Sequence, residues 1–592
     1  MKHPHTTRHN PLRACLAALL LLSVLAAGRG HAGAELAEAG EMAAVTPPAD
    51  AQPPAGQLAG RLELKLSTAL AIEVLRDDYA LAQDRKLRIA ELPDFAFDYV
   101  QDGAELIPLQ RGLQRTAHPH WDLFLEPGGL WRAPGDDAMH ASLPFALQEK
   151  NANCTHNGVL HFRLHKSRER LHKSAERPDA SGEVSPVTVL IGSETCQYLK
   201  FNLRGQVSAR FHAGAPAGAE QALATQRALR ARRLPVKPLV ALQETAPAFD
   251  IDALAGAGQL PREDLSAWGL VVGDTHYASG CPTRLGPYPF CDALSLPSYS
   301  LAKSLVGGLG LMRLEQQYPG SRDRRVSDLV SACGNGDGWQ AVTLEHSLNM
   351  VTGHYGAPGA QEDEASEAML TGFFNAEKHA QKIRFACSGW PRRAPPGETF
   401  VYHSSDTYLL GTAMTTLLRQ QRGDSADLYN DVLRPLWRDL GLSPALADTR
   451  RSRDTARQPF TGYGLTLLRD DIARLARALN RGELDARLDT GMLAAALQRG
   501  PHPAGIFPSE GRLYYQHGFW AYDAAPLLGC DRPLALPFMS GYGGINVLLL
   551  PGDMVYYYFS DGGRFAFADA LLQINQLRPL CAQAKPITRT PT

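Results

Sequence analysis

The sequence carries almost no net charge: 60 lysines and arginines stand against 61 aspartates and glutamates in 592 residues. A polyanionic partner needs a basic excess, so nucleic acid is excluded as the expected partner, and so is an anionic lipid surface. C-x-x-C pairs are missing, which removes the common zinc and redox motifs. No G-x-S-x-G elbow is present, which argues against a Ser-His-Asp enzyme of the α/β-hydrolase kind. There is no internal repeat. Beyond the first 27 residues no uniformly apolar run is long enough to span a membrane.

What is present begins with an export signal. Lys2, His3, His5, His9 and Arg13 precede an apolar run from Ala14 to Ala27, and small residues follow, with cleavage expected after Ala32 or Ala34. Cys15 lies inside the run and no cysteine stands just after it, so a lipoprotein is not predicted. The mature chain is expected in a periplasm or outside the cell, without a transmembrane anchor and with cell-envelope association left open. Cysteines 154, 196, 281, 291, 333, 387, 530 and 581 remain. Their even number suits an oxidising compartment. Neighbours in sequence suggest 154–196, 281–291, 333–387 and 530–581, among many possible connectivities.

A chain of this length exceeds one ordinary core, and two or three domains are expected. Residues 1–34 are the signal. Residues 35–58, rich in Ala, Glu and Pro, read as a flexible tether. Residues 59–216 contain strand-like runs at 159–164, 187–191 and 197–211, and read as a mainly β accessory domain; the charged stretch 165–183 within it reads as a solvated loop. Residues 217–248 form a connector, with a helix over 218–233 ended by Pro235 and Pro238. Residues 249–581 form the main domain and 582–592 a tail. In the main domain Leu301, Leu305, Leu309 and Met312 recur at helical spacing over 301–317, and Pro319 and Gly320 stop the helix. Further helices are predicted at 343–350, 404–417, 424–437, 468–480, 488–498 and 563–577. Strands are predicted at 511–521, 544–550 and 554–560.

Ser300 and Lys303 open the 301–317 helix, and residues three apart share a helix face. Burial and the helix N-terminus both disfavour an added positive charge on the lysine. A neutral lysine can then take the serine proton and release an attacking alkoxide. Taken by itself, Ser-x-x-Lys also fits an ordinary polar helix start. Neighbouring Ser295, Ser298 and Ser304 have no lysine three residues on.

Ser300-Leu301-Ala302-Lys303 is the first of several segments that, in order, resemble the serine beta-lactamase and penicillin-binding protein superfamily. The class C-like branch, with its D-alanyl-D-alanine carboxypeptidases, esterases and 6-aminohexanoate-dimer hydrolases, is the part resembled, over roughly 255–578. Val342-Thr343-Leu344-Glu345-His346-Ser347-Leu348 with Thr352-Gly353, and Pro395-Pro396-Gly397-Glu398-Thr399-Phe400, match further landmarks. Tyr402-His403-Ser404, continuing to Gly411, matches the second motif. The resemblance implies a mixed α+β/α/β fold: a beta-lactamase-like domain with an antiparallel sheet and a helical region, preceded by a separate mainly β N-terminal domain. It implies Ser300 as nucleophile, Lys303 as general base, Tyr402 as proton carrier to the leaving group, and Ser404 in the network around Lys303. No metal or organic cofactor is implied.

The third motif departs from the family. Met539-Ser540-Gly541-Tyr542 stands where Lys-Thr-Gly or His-x-Gly is usual. Gly541 keeps the close approach to substrate, but Met539 supplies neither charge nor a strong donor. A substrate carboxylate loses its expected partner, which favours a small-molecule or peptide ester or amide over a beta-lactam. The competing readings are a D-alanyl-D-alanine carboxypeptidase or beta-lactamase, and a catalytically silent envelope scaffold. Residues 356–392, acidic at Glu362, Asp363, Glu364 and Glu367, read as a lid or as a surface excursion. His517 reads as a strand histidine at a pocket rim.

Overall fold

The computed structural model describes residues 40–65, 71–80, 88–165, 183–256, 258–334, 338–500, 503–506 and 512–583. The segment read as an export signal, residues 35–39, most of the 165–183 stretch and the tail beyond 583 lie outside the described residues.

Two sheets organise the chain. The first is 11-stranded and built from residues 59–213. Its long strand Met139–Glu149 pairs antiparallel with Thr155–His165 on one side and with Gly128–Arg132 and Trp121–Leu125 on the other. The pairings thereby return on themselves, which leaves few free edges. Alternate residues of these strands, among them Leu62, Leu64, Phe97, Leu143, Phe145, Leu160, Val189 and Leu203, fill a hydrophobic core of their own. The helix Ala219–Arg232 follows, and Arg227 and Arg230 tie it to Asp102 of this sheet. The strand Val236–Pro238 then joins the second sheet.

That second sheet is 8-stranded. From one edge it runs Val236–Pro238, Thr275–Ala278, Leu265–Val272, Met554–Ser560, Ile545–Leu550, Ala535–Gly541, Phe519–Asp523 and Leu513–Gln516. All its pairings are antiparallel except the first. Ile545–Leu550 and Met554–Ser560 are buried at every position, and their continuous apolar and aromatic runs suit strands covered on both faces. The chain between Thr283 and Leu513 is mostly helical. This is the beta-lactamase-like arrangement expected.

Several local expectations change. The 511–521 strand is two strands, because His517 and Gly518 take positive φ of 50° and 87° and make the tight turn between Leu513–Gln516 and Phe519–Asp523. The 301–317 helix begins with a wide π-helical turn over Lys303–Gly308 before the α-helix Leu309–Gln317. Of the stretch read as a flexible tether, residues 41–45 form a short 3-10 helix. Met42 and Val45 are buried there, and the Met42 N–H is bonded to the Leu285 carbonyl. Apolar side chains few in number were enough to pin this segment. The four disulfides join 154 to 196, 281 to 291, 333 to 387 and 530 to 581.

The first sheet is tied to the rest of the chain at several separate places. Asn157 exchanges hydrogen bonds with the Ser295 backbone in both directions, each 2.9 Å. Arg450 donates to Asp122 at 2.6 Å. Lys200 of the first sheet region meets Asp561 at 2.9 Å. The N-terminal strands, expected as a separate mainly β domain, keep a core of their own and meet the helical layer through these contacts.

Candidate active site

Leu296–Pro297 pairs with Thr466–Leu467 and delivers the chain to Ser298. Tyr299 then adopts a positive φ of 40°, uncommon for a residue with a side chain and favoured where surrounding contacts hold it. Asn153 supplies those contacts. Its side-chain oxygen accepts the N–H of Tyr299 at 2.7 Å, the N–H of Gly464 at 3.0 Å and the Ser298 hydroxyl at 3.1 Å. Its amide donates to the Leu465 carbonyl at 3.1 Å. The kink places Ser300 at the head of the helix.

Lys303 lies one turn on, 1% exposed. Its Nζ is 2.9 Å from Ser300 Oγ and 2.7 Å from Ser404 Oγ. The wide turn that carries it packs closely on its neighbours: a Cβ on Gly308 would meet the His517 carbonyl at 2.6 Å, and one on Gly518 would meet the Lys303 carbonyl at 2.7 Å. Burial lowers the Lys303 ammonium to about 8, opposed by Glu364. Lys303 is therefore partly neutral near neutral pH.

Tyr402 is buried against Trp520 and Tyr515, and Lys303 Nζ sits 4.6 Å from its ring centroid. Burial holds its phenol well above the usual tyrosine range, with the Ser300 side chain pulling the other way. It rests as a neutral phenol, able to donate a proton. Ser404 opens the helix Ser404–Arg422. Its N–H and hydroxyl both reach Glu364, at 2.8 and 2.5 Å. Glu364 also lies 4.0 Å from Lys303 Nζ. The 356–392 segment thus feeds a carboxylate into the site. It anchors there through Asp363, which accepts from the Gly356 and Ala357 N–H groups and pairs with His403 at 3.0 Å.

Ser300 and Ser404 open on a cavity of ≈ 180 Å³. The 356–392 segment lines it with Glu364, Leu370, Phe374 and Asn375, and Tyr463 and Tyr542 add to the lining. The N-terminal strands contribute Glu149, Asn151, Ala152, Asn153 and Tyr198. Of the third-motif residues, Tyr542 lines the cavity. Met539 is 2% exposed within the hydrophobic core, and the Ser540 hydroxyl donates to the Ile545 carbonyl at 3.3 Å. Gly541 closes on the nucleophile turn, where a Cβ would stand 2.8 Å from the Ser298 carbonyl. His517 does not line the cavity, although its carbonyl packs against the Lys303–Gly308 turn. It is buried, 2.6 Å from Glu345, and its N–H donates to Asn349.

Sequence reading missed Asn153, Glu149, Tyr198 and the inward role of Glu364. The acidic run at 362–367 was the one local signal; nothing near Asn153 marks it.

Residues 295–560 match the family model described as Beta-lactamase. No match is found among curated proteins. Solved structures similar to the chain include three of low identity. A penicillin-binding protein homolog from Caulobacter crescentus is 16% identical, over 58% of this chain and 96% of that one, at TM-score 0.37. EstCE1, a hydrolase with promiscuous acyltransferase activity, is 16% identical, over 60% and 100%, at 0.40. A class C beta-lactamase is 13% identical, over 57% and 95%, at 0.39.

Proposed function

Residues 295–560 belong to the serine beta-lactamase and penicillin-binding protein superfamily, and from that premise we propose that this chain is an exported serine hydrolase cleaving an ester or simple amide through an acyl-enzyme. One observation carries the reading: Lys303 Nζ, buried and held low in pKa, bridges Ser300 Oγ and Ser404 Oγ.

Neutral Lys303 takes the Ser300 proton as Oγ attacks the carbonyl carbon. Backbone N–H groups of Ser300 and of a residue in 540–542 receive the developing oxyanion. The carbonyl re-forms, the bond to the leaving group breaks, and Tyr402 gives that group its proton. Tyr402 is reprotonated by the Lys303 ammonium. Water then attacks the acyl-enzyme, losing its proton to the same Tyr402–Lys303 pair, and Ser300 is restored.

Buried Met539, and a cavity lined by no lysine or arginine among the described residues, support an ester or amide over a carboxylate-bearing beta-lactam. The leader sequence and four disulfides support export to a periplasm or beyond. Among the described residues no helix is long and apolar enough to cross a membrane.

The test is intact mass of the oxidised protein after exposure to an alkyl fluorophosphonate. A stoichiometric adduct, absent in Ser300→Ala, is expected. No adduct in folded protein would overturn the reading. Ester, amide and cephalosporin panels then rank substrates, and fastest turnover of the cephalosporin would favour the beta-lactamase alternative.

A further inference from the structure

The cavity beside Ser300 has a wall that residues 295–560 do not supply. Glu149 ends the strand Met139–Glu149, Asn151 to Asn153 form the turn after it, and Tyr198 follows the Cys154–Cys196 disulfide.

The chemistry of that wall is one-sided. Glu149 accepts from the Tyr198 hydroxyl at 2.7 Å. Its other oxygen is 4.0 Å from His120, whose imidazole burial keeps neutral. Arg450 is engaged with Asp122 and acts on Glu149 only through space. Asn151 commits its amide hydrogens to the Phe374 and Ala376 carbonyls at 2.7 and 3.1 Å, and its buried oxygen has no partner among the described residues. Glu364 lines the opposite side but is already engaged by Ser404 and stands 4.0 Å from Lys303 Nζ, so Glu149 is the lining carboxylate without a close cation.

Around these acceptors stand π faces. Tyr299 and Tyr542 have ring centroids 5.6 Å apart, Tyr542 and Tyr198 6.3 Å, and Phe374 and Tyr463 5.9 Å. The Glu149 carboxylate and the lone Asn151 acceptor among aromatic rings, with no lysine or arginine among the residues lining the space, make an environment for a positive organic group. An anion would be repelled there. A neutral hydroxyl would leave the charge of Glu149 unanswered. Burial raises the Glu149 carboxyl to about 7, the cost of a carboxylate without a close cation; an ammonium beside it would remove that cost.

We propose that the cavity recognises an organic ammonium, a protonated amine or quaternary ammonium, on the substrate, and that the N-terminal wall of Glu149, Asn151 and Tyr198 is its specificity surface. That the bound group belongs to a substrate rests on the hydrolase reading; the ammonium site itself does not.

The experiment is calorimetric titration of full-length Ser300→Ala protein with n-alkylammonium ions of two to six carbons, and with the matching 1-alkanols and alkanoates. The best ammonium is expected to bind about tenfold more tightly than its alcohol, with no measurable alkanoate binding. Glu149→Gln is expected to lower the ammonium-to-alcohol affinity ratio about tenfold. Equal or tighter binding of the alcohol or alkanoate, or no ammonium binding at all, overturns the proposal. If Glu149→Gln does not fold, the charge series on its own decides. Because the nucleophile is absent, failure here leaves the hydrolase reading intact, whereas a missing fluorophosphonate adduct on the unmodified chain sinks that reading and leaves the ammonium site standing.

Discussion

The side-chain oxygen of Asn153 accepts the backbone N–H of Tyr299 at 2.7 Å, one residue ahead of Ser300. The same oxygen serves Gly464 and Ser298, so one amide from the first sheet region ties together the two chain segments that form the nucleophile turn. Asn153→Ala leaves buried donors without an acceptor, at about 1–3 kcal/mol for each. We expect a loss of about 3 kcal/mol in urea denaturation. We also expect Ser300 labelling by fluorophosphonate to slow about a hundredfold in protein still folded by circular dichroism, as misplaced reacting atoms do. Labelling at the unmodified rate would show that the turn holds without Asn153.

Acylation should follow the neutral fraction of Lys303. With its ammonium lowered to about 8, the base is mostly protonated at pH 6 and mostly free at pH 9. The kcat/KM for a neutral ester should climb about tenfold per pH unit well below 8 and level off above it. A profile flat from pH 6 to 9 would remove Lys303 as the base. Lys303→Arg, which stays protonated throughout, should lose about a thousandfold or more.

Tyr402→Phe removes the phenol that rests protonated beside Ser300. The loss should depend on the leaving group. For an alkyl ester or an amide, which needs a proton to depart, a fall of about 10²–10⁴ in kcat is expected. For a p-nitrophenyl ester it should be much smaller. Equal losses on both substrates would assign Tyr402 to positioning.

Glu364 acts on the base through its charge. It raises the Lys303 pKa from 4.0 Å away. Glu364→Gln keeps a side-chain acceptor for Ser404 and removes that charge. The apparent pKa of kcat/KM should therefore move below the unmodified value, with relatively more of the plateau rate retained at pH 6. A shift upward, or none, would contradict this electrostatic account.

The fold was legible where periodicity is strong and local. Leu301, Leu305, Leu309 and Met312 mark the nucleophile helix because each falls on one face, and Ile545 to Ser560 mark buried strands through continuous apolar runs. Ser300, Lys303, Tyr402 and Ser404 could be read because short spacings and a family pattern carry them. The π-helical turn at Lys303 has no local cue; it packs closely, through Gly308 and Gly518, on a segment far away in sequence. His517 was read onto a strand although histidine, like Asn and Asp, takes positive φ more readily than most residues, and Gly518 beside it was the available turn signal. Glu149, Asn153 and Tyr198 were illegible for a deeper reason. Glu149 and Tyr198 partner each other across 49 residues and Asn153 reaches partners more than a hundred residues away, and no one-dimensional pattern records a polar side chain that serves another segment's turn.

The seam at Asn153 also bears on how such chains diverge. Recombination usually trades whole folding units, and the helix Ala219–Arg232 between the strands of the two sheets is where such a crossover would fall. A hybrid joined there would inherit Ser300, Lys303 and Tyr402 unchanged, yet carry a stranger's cavity wall and a stranger's support for Tyr299. Its cavity lining would then come from both donors, with Glu149, Asn151 and Tyr198 from one and Glu364, Phe374 and Tyr463 from the other.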